Sequence, residues 1–134
     1  MKQEDKELLL IDLCARLPYG VKCYEADVEY TFDIIGTTSN NKEFVFSDGY
    51  ERNLEQIKPY LRPMSSMTEE ERKERLSFFQ VVELNSGLTP LLSALKSFEY
   101  INWLNAHHFD YRGLIEKGLA IEVTEENNPY GREN

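Results

Sequence analysis

Between Leu91 and Val123, LLSALKSFEYINWLNAHHFDYRGLIEKGLAIEV, the chain holds its one tryptophan, both of its histidines and its longest helical pattern. Leu91, Leu95, Phe98, Ile101 and Leu104 recur at spacings of three and four, which sets them along one side of a helix. Tyr100 and Trp103 widen that stripe. Thr89 offers a side-chain oxygen to a free backbone N–H, and Pro90 stands in the first turn, where a helix tolerates it. The pattern predicts a central helix from Pro90 to about Ala106, with Trp103 in the core and the rest of the fold packed around it. The bulk and polar N–H of Trp103 also suit ligand stacking, but its place on the apolar side favours packing.

The remaining chain alternates between two periods. Glu4–Leu17 reads as an amphipathic helix with Leu9, Leu10, Leu13, Cys14 and Leu17 on one face, stopped by Pro18 and Gly20. From Val21 the period becomes two. Val21–Tyr24, Val28–Ile35 and Glu43–Ser47 read as strands, with Phe44 and Phe46 inward and Glu43 outward. Short connections make them an antiparallel meander. Pro59 and Pro63 restrict Asn53–Pro63 to a turn of helix and an extended segment. Thr68 and Glu71 have capping-box spacing at the start of a helix that runs to about Leu84. Asp110 is placed to cap a short helix closing at Gly118, and Leu119–Val123 alternates as a last strand returning to the meander. The expected class is α+β, a small antiparallel sheet under about three helices. Residues 1–123 form one globular domain and 124–134 an acidic, flexible tail.

At 134 residues and 41% hydrophobic, the chain can bury a core of its own. No apolar run reaches the roughly 18 residues of a membrane-spanning helix, and the acidic and basic MKQEDKE start is not that of a secretory signal. A cytoplasmic protein is expected, with Cys14 and Cys23 reduced and serving as small buried hydrophobes. The net charge of −9 argues against direct binding to nucleic acid or to an anionic membrane. Its distribution is uneven. Residues 25–56 carry eight acids against Lys42 and Arg52, and residues 122–134 carry four against Arg132, so the whole surplus lies in two places.

Three blocks, LCARLPYGV (13–21), IKPYLRPMSSMTEEERKE (57–74) and INWLNAHHFDYRGLIEKGLAIE (101–122), resemble a set of small uncharacterised proteins. Those proteins are encoded in gut-bacterial genomes near prophage or other mobile-element genes. The resemblance implies a compact bacterial or phage accessory protein and carries no activity, cofactor or catalytic residue with it.

Two constellations invite a functional reading. His107, His108 and Asp110 bring two imidazoles and a carboxylate together, as a metal site or an acid–base pair would. Adjacent helical residues point about 100° apart, whereas helical metal pairs use i,i+4, so helix-end packing is the plainer account. The chain has no nucleophile elbow, phosphate loop or Cys-x-x-Cys, and neither catalysis nor a cofactor is expected. The second constellation is acidic. Glu29, Asp33 and Glu43 fall on the outward face of the meander, with Glu25, Asp27 and Asp48 near its turns. These six residues form the expected contact surface for a basic protein partner, one that could otherwise hold nucleic acid, so the chain would act as a nucleic-acid mimic. The expected function is a non-enzymatic interaction protein. The alternatives are a small enzyme or metal protein using the histidines, and a structural or homo-oligomeric component.

Overall fold

In the computed structural model, which describes residues 1–25, 32–37, 43–79 and 89–131 (backbone alone for Phe32 and 89–94), alternating side chains lay the first four strands down as an antiparallel meander. The strands are β1 (Lys22–Glu25), β2 (Phe32–Thr37), β3 (Glu43–Phe46) and β4 (Glu51–Asn53). Lys22 pairs with Asp33, Ile34 with Phe46 and Phe44 with Arg52, and the register shifts once between Ile34 and Gly36. The inward residues Cys23, Ile34, Phe44 and Phe46 are buried, as a period of two requires.

The extended segment after Asn53 is a full strand, β5 (Ile57–Pro63), and it ties the two halves of the protein together. It runs antiparallel to β1 through residues 57–59. Farther along it pairs in parallel with two short strands from the C-terminal part, Tyr60 with Ile121 of β7 (Ile121–Glu122) and Arg62 with Phe109 of β6 (Phe109–Asp110). The described residues therefore form a seven-stranded mixed sheet. The last strand returns to β5 rather than to the meander.

Helix α1 (Gln3–Arg16) lies on this sheet. Leu9 and Leu13 join Val21, Cys23, Ile34, Phe44, Phe46, Ile57, Leu61, Leu114, Leu119 and Ala120 in the main core. The buried face is Leu9, Asp12, Leu13 and Arg16, a rotation away from the stripe that apolarity alone suggested. Ile11 and Cys14 are exposed in consequence, so Cys14 is not a buried hydrophobe although Cys23 is.

Helix α2 (Glu69–Ser77) begins on a complete capping box. The Thr68 hydroxyl accepts from Glu71 N–H at 3.1 Å, and the Glu71 carboxylate accepts from Thr68 N–H at 2.9 Å. The helix stops at Ser77, short of Leu84, where Phe78 and Phe79 donate three residues back and tighten the end. Glu71 is held further by a two-pronged contact from Arg62, at 2.8 and 2.7 Å. Burial raises the Glu71 pKa, but the Arg62 fork and the Thr68 amide outweigh it, and the carboxyl falls from 4.5 to about 2. The native value lies below the unfolded one. Its stabilisation is therefore present above about pH 4.5 and lost as pH falls toward 2. Urea unfolding of wild type and Glu71→Gln should show a difference of about 1–2 kcal/mol at pH 6, allowing for solvent screening of the pair, that closes by pH 2.

Helix α3 (Thr89–Ala106) is not the element around which the chain packs. It joins a smaller cluster with Met67, Leu104 and Phe109 buried and Met64, Tyr100, Trp103 and Tyr111 against them. Sheet coverage therefore comes from α1, while α2 and α3 build a separate aromatic layer over β6. Residues 111–118 form turns rather than a helix, although Asp110 still accepts the N–H groups of Leu114 and Ile115, both at 2.9 Å. No described helix is long and apolar enough to cross a membrane.

The segment expected as a free tail is anchored by one aromatic ring. The Tyr130 hydroxyl donates to the Tyr60 carbonyl at 2.7 Å and accepts from Lys22 N–H at 3.1 Å, bridging β5 and β1. Burial pushes the phenol pKa up strongly. Thr124 with Asn127, and Asn128 with Tyr130 and Gly131, close the turns that lead to it.

Candidate functional site

Of the six acids of the expected partner surface, the four within the described residues have different surroundings. Arg52 lies across from β3 and draws in two of them, Glu25 through Nε and Asp48 through both terminal nitrogens at 3.0 and 2.7 Å. These contacts hold the Asp48 carboxyl below its ordinary pKa. Asp33 pairs with Lys22 at 3.0 Å. Glu43 is half-buried on β3. Asp27 and Glu29 lie outside the described residues. Half of the six acids thus have a cation beside them, which reduces the field they can project.

The two histidines and Asp110 are each engaged by a different neighbour. His107 places Nδ1 2.9 Å from the Trp103 carbonyl one turn back, and its ring lies 4.6 Å from that of Trp103. His108 adopts a left-handed backbone, φ 64°, which turns the chain out of α3 so that its carbonyl can accept from Arg62 N–H at 2.7 Å. Its ring stacks on Tyr130, 3.6 Å apart and nearly parallel. Burial, then the charges of Arg16, His107, Arg62 and Lys22, bring the His108 pKa down to about 4. The Asp110 carboxylate is taken up by the two backbone N–H groups. Among the described residues, no three His, Cys, Asp or Glu side chains gather where they could hold a metal ion.

Behind His108 lies a buried polar corner that periodicity does not reveal. Asp12 and Arg16, one turn apart on α1, are both inaccessible to solvent. Arg16 donates from Nε at 2.7 Å and from Nη2 at 3.1 Å to the Asp12 carboxylate, and from Nη2 to the Phe109 carbonyl at 2.6 Å. Arg112 reaches the same carboxylate at 2.9 Å. Both guanidinium groups also lie over the Tyr111 ring, at 5.3 and 4.7 Å. The corner fixes where α1, β6 and the following turns meet. A sequence signal for it existed: an acid and a base at i,i+4 inside a leucine-rich face.

Among the described residues, a row of large apolar side chains lies open along the outer side of α3. Leu104 is 2% exposed, and Tyr100, Trp103 and His107 face Phe78, Phe109 and α2. Trp103 Nε1 donates to Glu74 at 2.9 Å, and Arg75 Nε donates to the Tyr100 hydroxyl at 2.9 Å, so α2 and α3 are tied by polar as well as aromatic contacts. At 100° per residue, Phe98 lies roughly 180° around the helix from His107. Leu95, Phe98 and Ile101 are 53%, 69% and 39% exposed along that opposite side. Of the five residues that read as core from spacing, Leu95, Phe98 and Ile101 thus face outward and Leu104 is buried, while the side chain of Leu91 lies outside the described residues. At its C-terminal end the outward row gives way to buried Asn105, whose amide oxygen accepts from Tyr111 at 2.7 Å. Comparison with known proteins finds no matching family model, no matching curated protein and no matching solved structure.

Proposed function

We propose that this chain is a non-enzymatic binding protein that takes a basic protein partner on the outer stripe of α3. The observation that supports this is the exposure of Leu95, Phe98 and Ile101 on a helix whose other side already fills an aromatic cluster. A helix apolar on two sides is ordinarily covered on both. A row of large exposed apolar residues is the usual mark of a contact site, with an aromatic residue as the central anchor. The net charge of −9 argues for a basic partner over a second copy of the chain, because two copies would bring like charges together. The partner chemistry is therefore an apolar segment flanked by Lys or Arg. A phage or mobile-element accessory acting on a host protein fits this reading, with the acidic strands as the long-range attraction and the stripe as the contact.

A photo-reactive residue placed at Phe98, with one at exposed Glu116 as control, tests the proposal in cells that make the protein. The expected result is an adduct from position 98 whose cross-linked peptide is apolar and rich in Lys or Arg. Its yield should fall as salt rises, since steering by net charge is screened beyond about 8 Å at physiological ionic strength. Cross-linking of position 98 to a second copy of this chain would overturn the basic-partner assignment and make the stripe a self-association face.

A further inference from the structure

Among the described residues, two buried polar atoms have no hydrogen-bond partner: Arg16 Nη1 and His108 Nδ1. They belong to the same place in the fold, since Arg16 Nη2 binds the carbonyl of Phe109, the residue next to His108. Arg16 is fully buried, and its Nη1 can only donate. Unpaired buried polar groups are rare in folded proteins, and those that occur ordinarily meet an ordered water or ion. The local charge decides between these. Among the described residues, Arg62 has Glu71 and Lys22 has Asp33, but Arg16 and Arg112 share the single carboxylate of Asp12. One positive charge is left over beside a nitrogen that needs an acceptor.

We propose that a small monovalent anion of halide size binds between Arg16 Nη1 and His108 Nδ1. The anion accepts from the two free N–H bonds of Nη1 and from Nδ1–H of the histidine, and it neutralises the excess cation. Water is the poorer occupant, because it brings two hydrogens of its own to a corner crowded with donors. A carboxylate or phosphate carried by a larger molecule is excluded by the complete burial of Arg16. The Tyr130 ring is stacked on the histidine, and Arg16 from α1, His107 from the end of α3, Arg62 from β5 and Lys22 from β1 act on it through their charge. Asp12 is the carboxylate of the corner, and it is already shared by Arg16 and Arg112. The anion therefore joins α1, the α3–β6 turn and the Tyr130 anchor in one stabilised corner.

Crystals of the full chain grown or soaked in sodium bromide give the direct test. The expected result is an anomalous peak within hydrogen-bonding distance of both nitrogens. In solution, thermal unfolding in sodium chloride is compared with sodium gluconate at equal ionic strength, gluconate being too large to enter. The melting temperature should rise with chloride by about 4–7 °C for each tenfold increase above the dissociation constant, and stay flat with gluconate. The pKa of His108, followed by NMR, should be higher in chloride than in gluconate. Bromide found elsewhere but not at this corner, or melting curves and His108 titrations identical in the two salts, would overturn the proposal.

Discussion

Asp12→Ala should destabilise the protein by about 3–5 kcal/mol, the range for removing one partner of a buried ion pair. The carboxylate is inaccessible to solvent and accepts from both Arg16 and Arg112. Without it, a fully buried guanidinium keeps its charge and loses two of its three hydrogen bonds, retaining the Phe109 carbonyl. Arginine cannot escape by giving up its proton. The double replacement Asp12→Leu with Arg16→Met should cost much less than the single one, because it removes the charge together with its partner. Equilibrium urea unfolding at pH 7 measures both. A loss below about 1 kcal/mol for Asp12→Ala would show that the corner is open to water.

Trp103→Ala should cost about 3 kcal/mol, the lower end of the range for large aromatic residues, because the indole is half-buried rather than enclosed. Its ring sits within 4.6–6.1 Å of His107, Phe109, Phe78 and Tyr100, centroid to centroid. Truncation empties the centre of that layer and frees the Glu74 carboxylate on α2. The rise in unfolding rate should be accompanied by a larger loss of protection at α2 amides than at β3 amides in hydrogen exchange, since α2 leans on this layer and β3 on the other core. Equal loss in both would mean that the two clusters unfold as one.

Strands β1 and β3, and β7 within the alternating Leu119–Val123, were legible because a period of two leaves few alternatives, whereas β4 and β6 are too short to show one. Phe44 and Phe46 had to share a side, and the buried side is the one they share. The Thr68 cap was legible for a similar reason, since two side chains at fixed spacing satisfy two otherwise unpaired N–H groups. The helices were misread in rotation. On α1 the face nearest the sheet includes Asp12 and Arg16, and apolarity counts them as outward until their mutual hydrogen bonds are known. On α3 there are two apolar sides, Leu95–Phe98–Ile101 and Tyr100–Trp103–Leu104, and spacing favours the more regular one. The aromatic layer favours the other, because its rings meet Phe78 and Phe109 and its polar edges meet Glu74 and Arg75. Nothing local could place Tyr130 between β1 and β5, since its partners Lys22 and Tyr60 are 108 and 70 residues away. The acids of residues 25–56 were read as one surface, whereas Arg52 draws Glu25 and Asp48 together and Lys22 meets Asp33.

Helix α3 gives one side to the fold and, in the proposed role, the other to a partner, and the most direct measurement treats the outer side alone. Phe98→Ser with Ile101→Ser should change the melting temperature by no more than a few degrees, as surface substitutions do. The same double variant should abolish the complex with the partner identified by cross-linking, measured as a dissociation constant by titration. A large drop in melting temperature would make these residues part of the core, and unchanged affinity would remove the outer stripe as the contact.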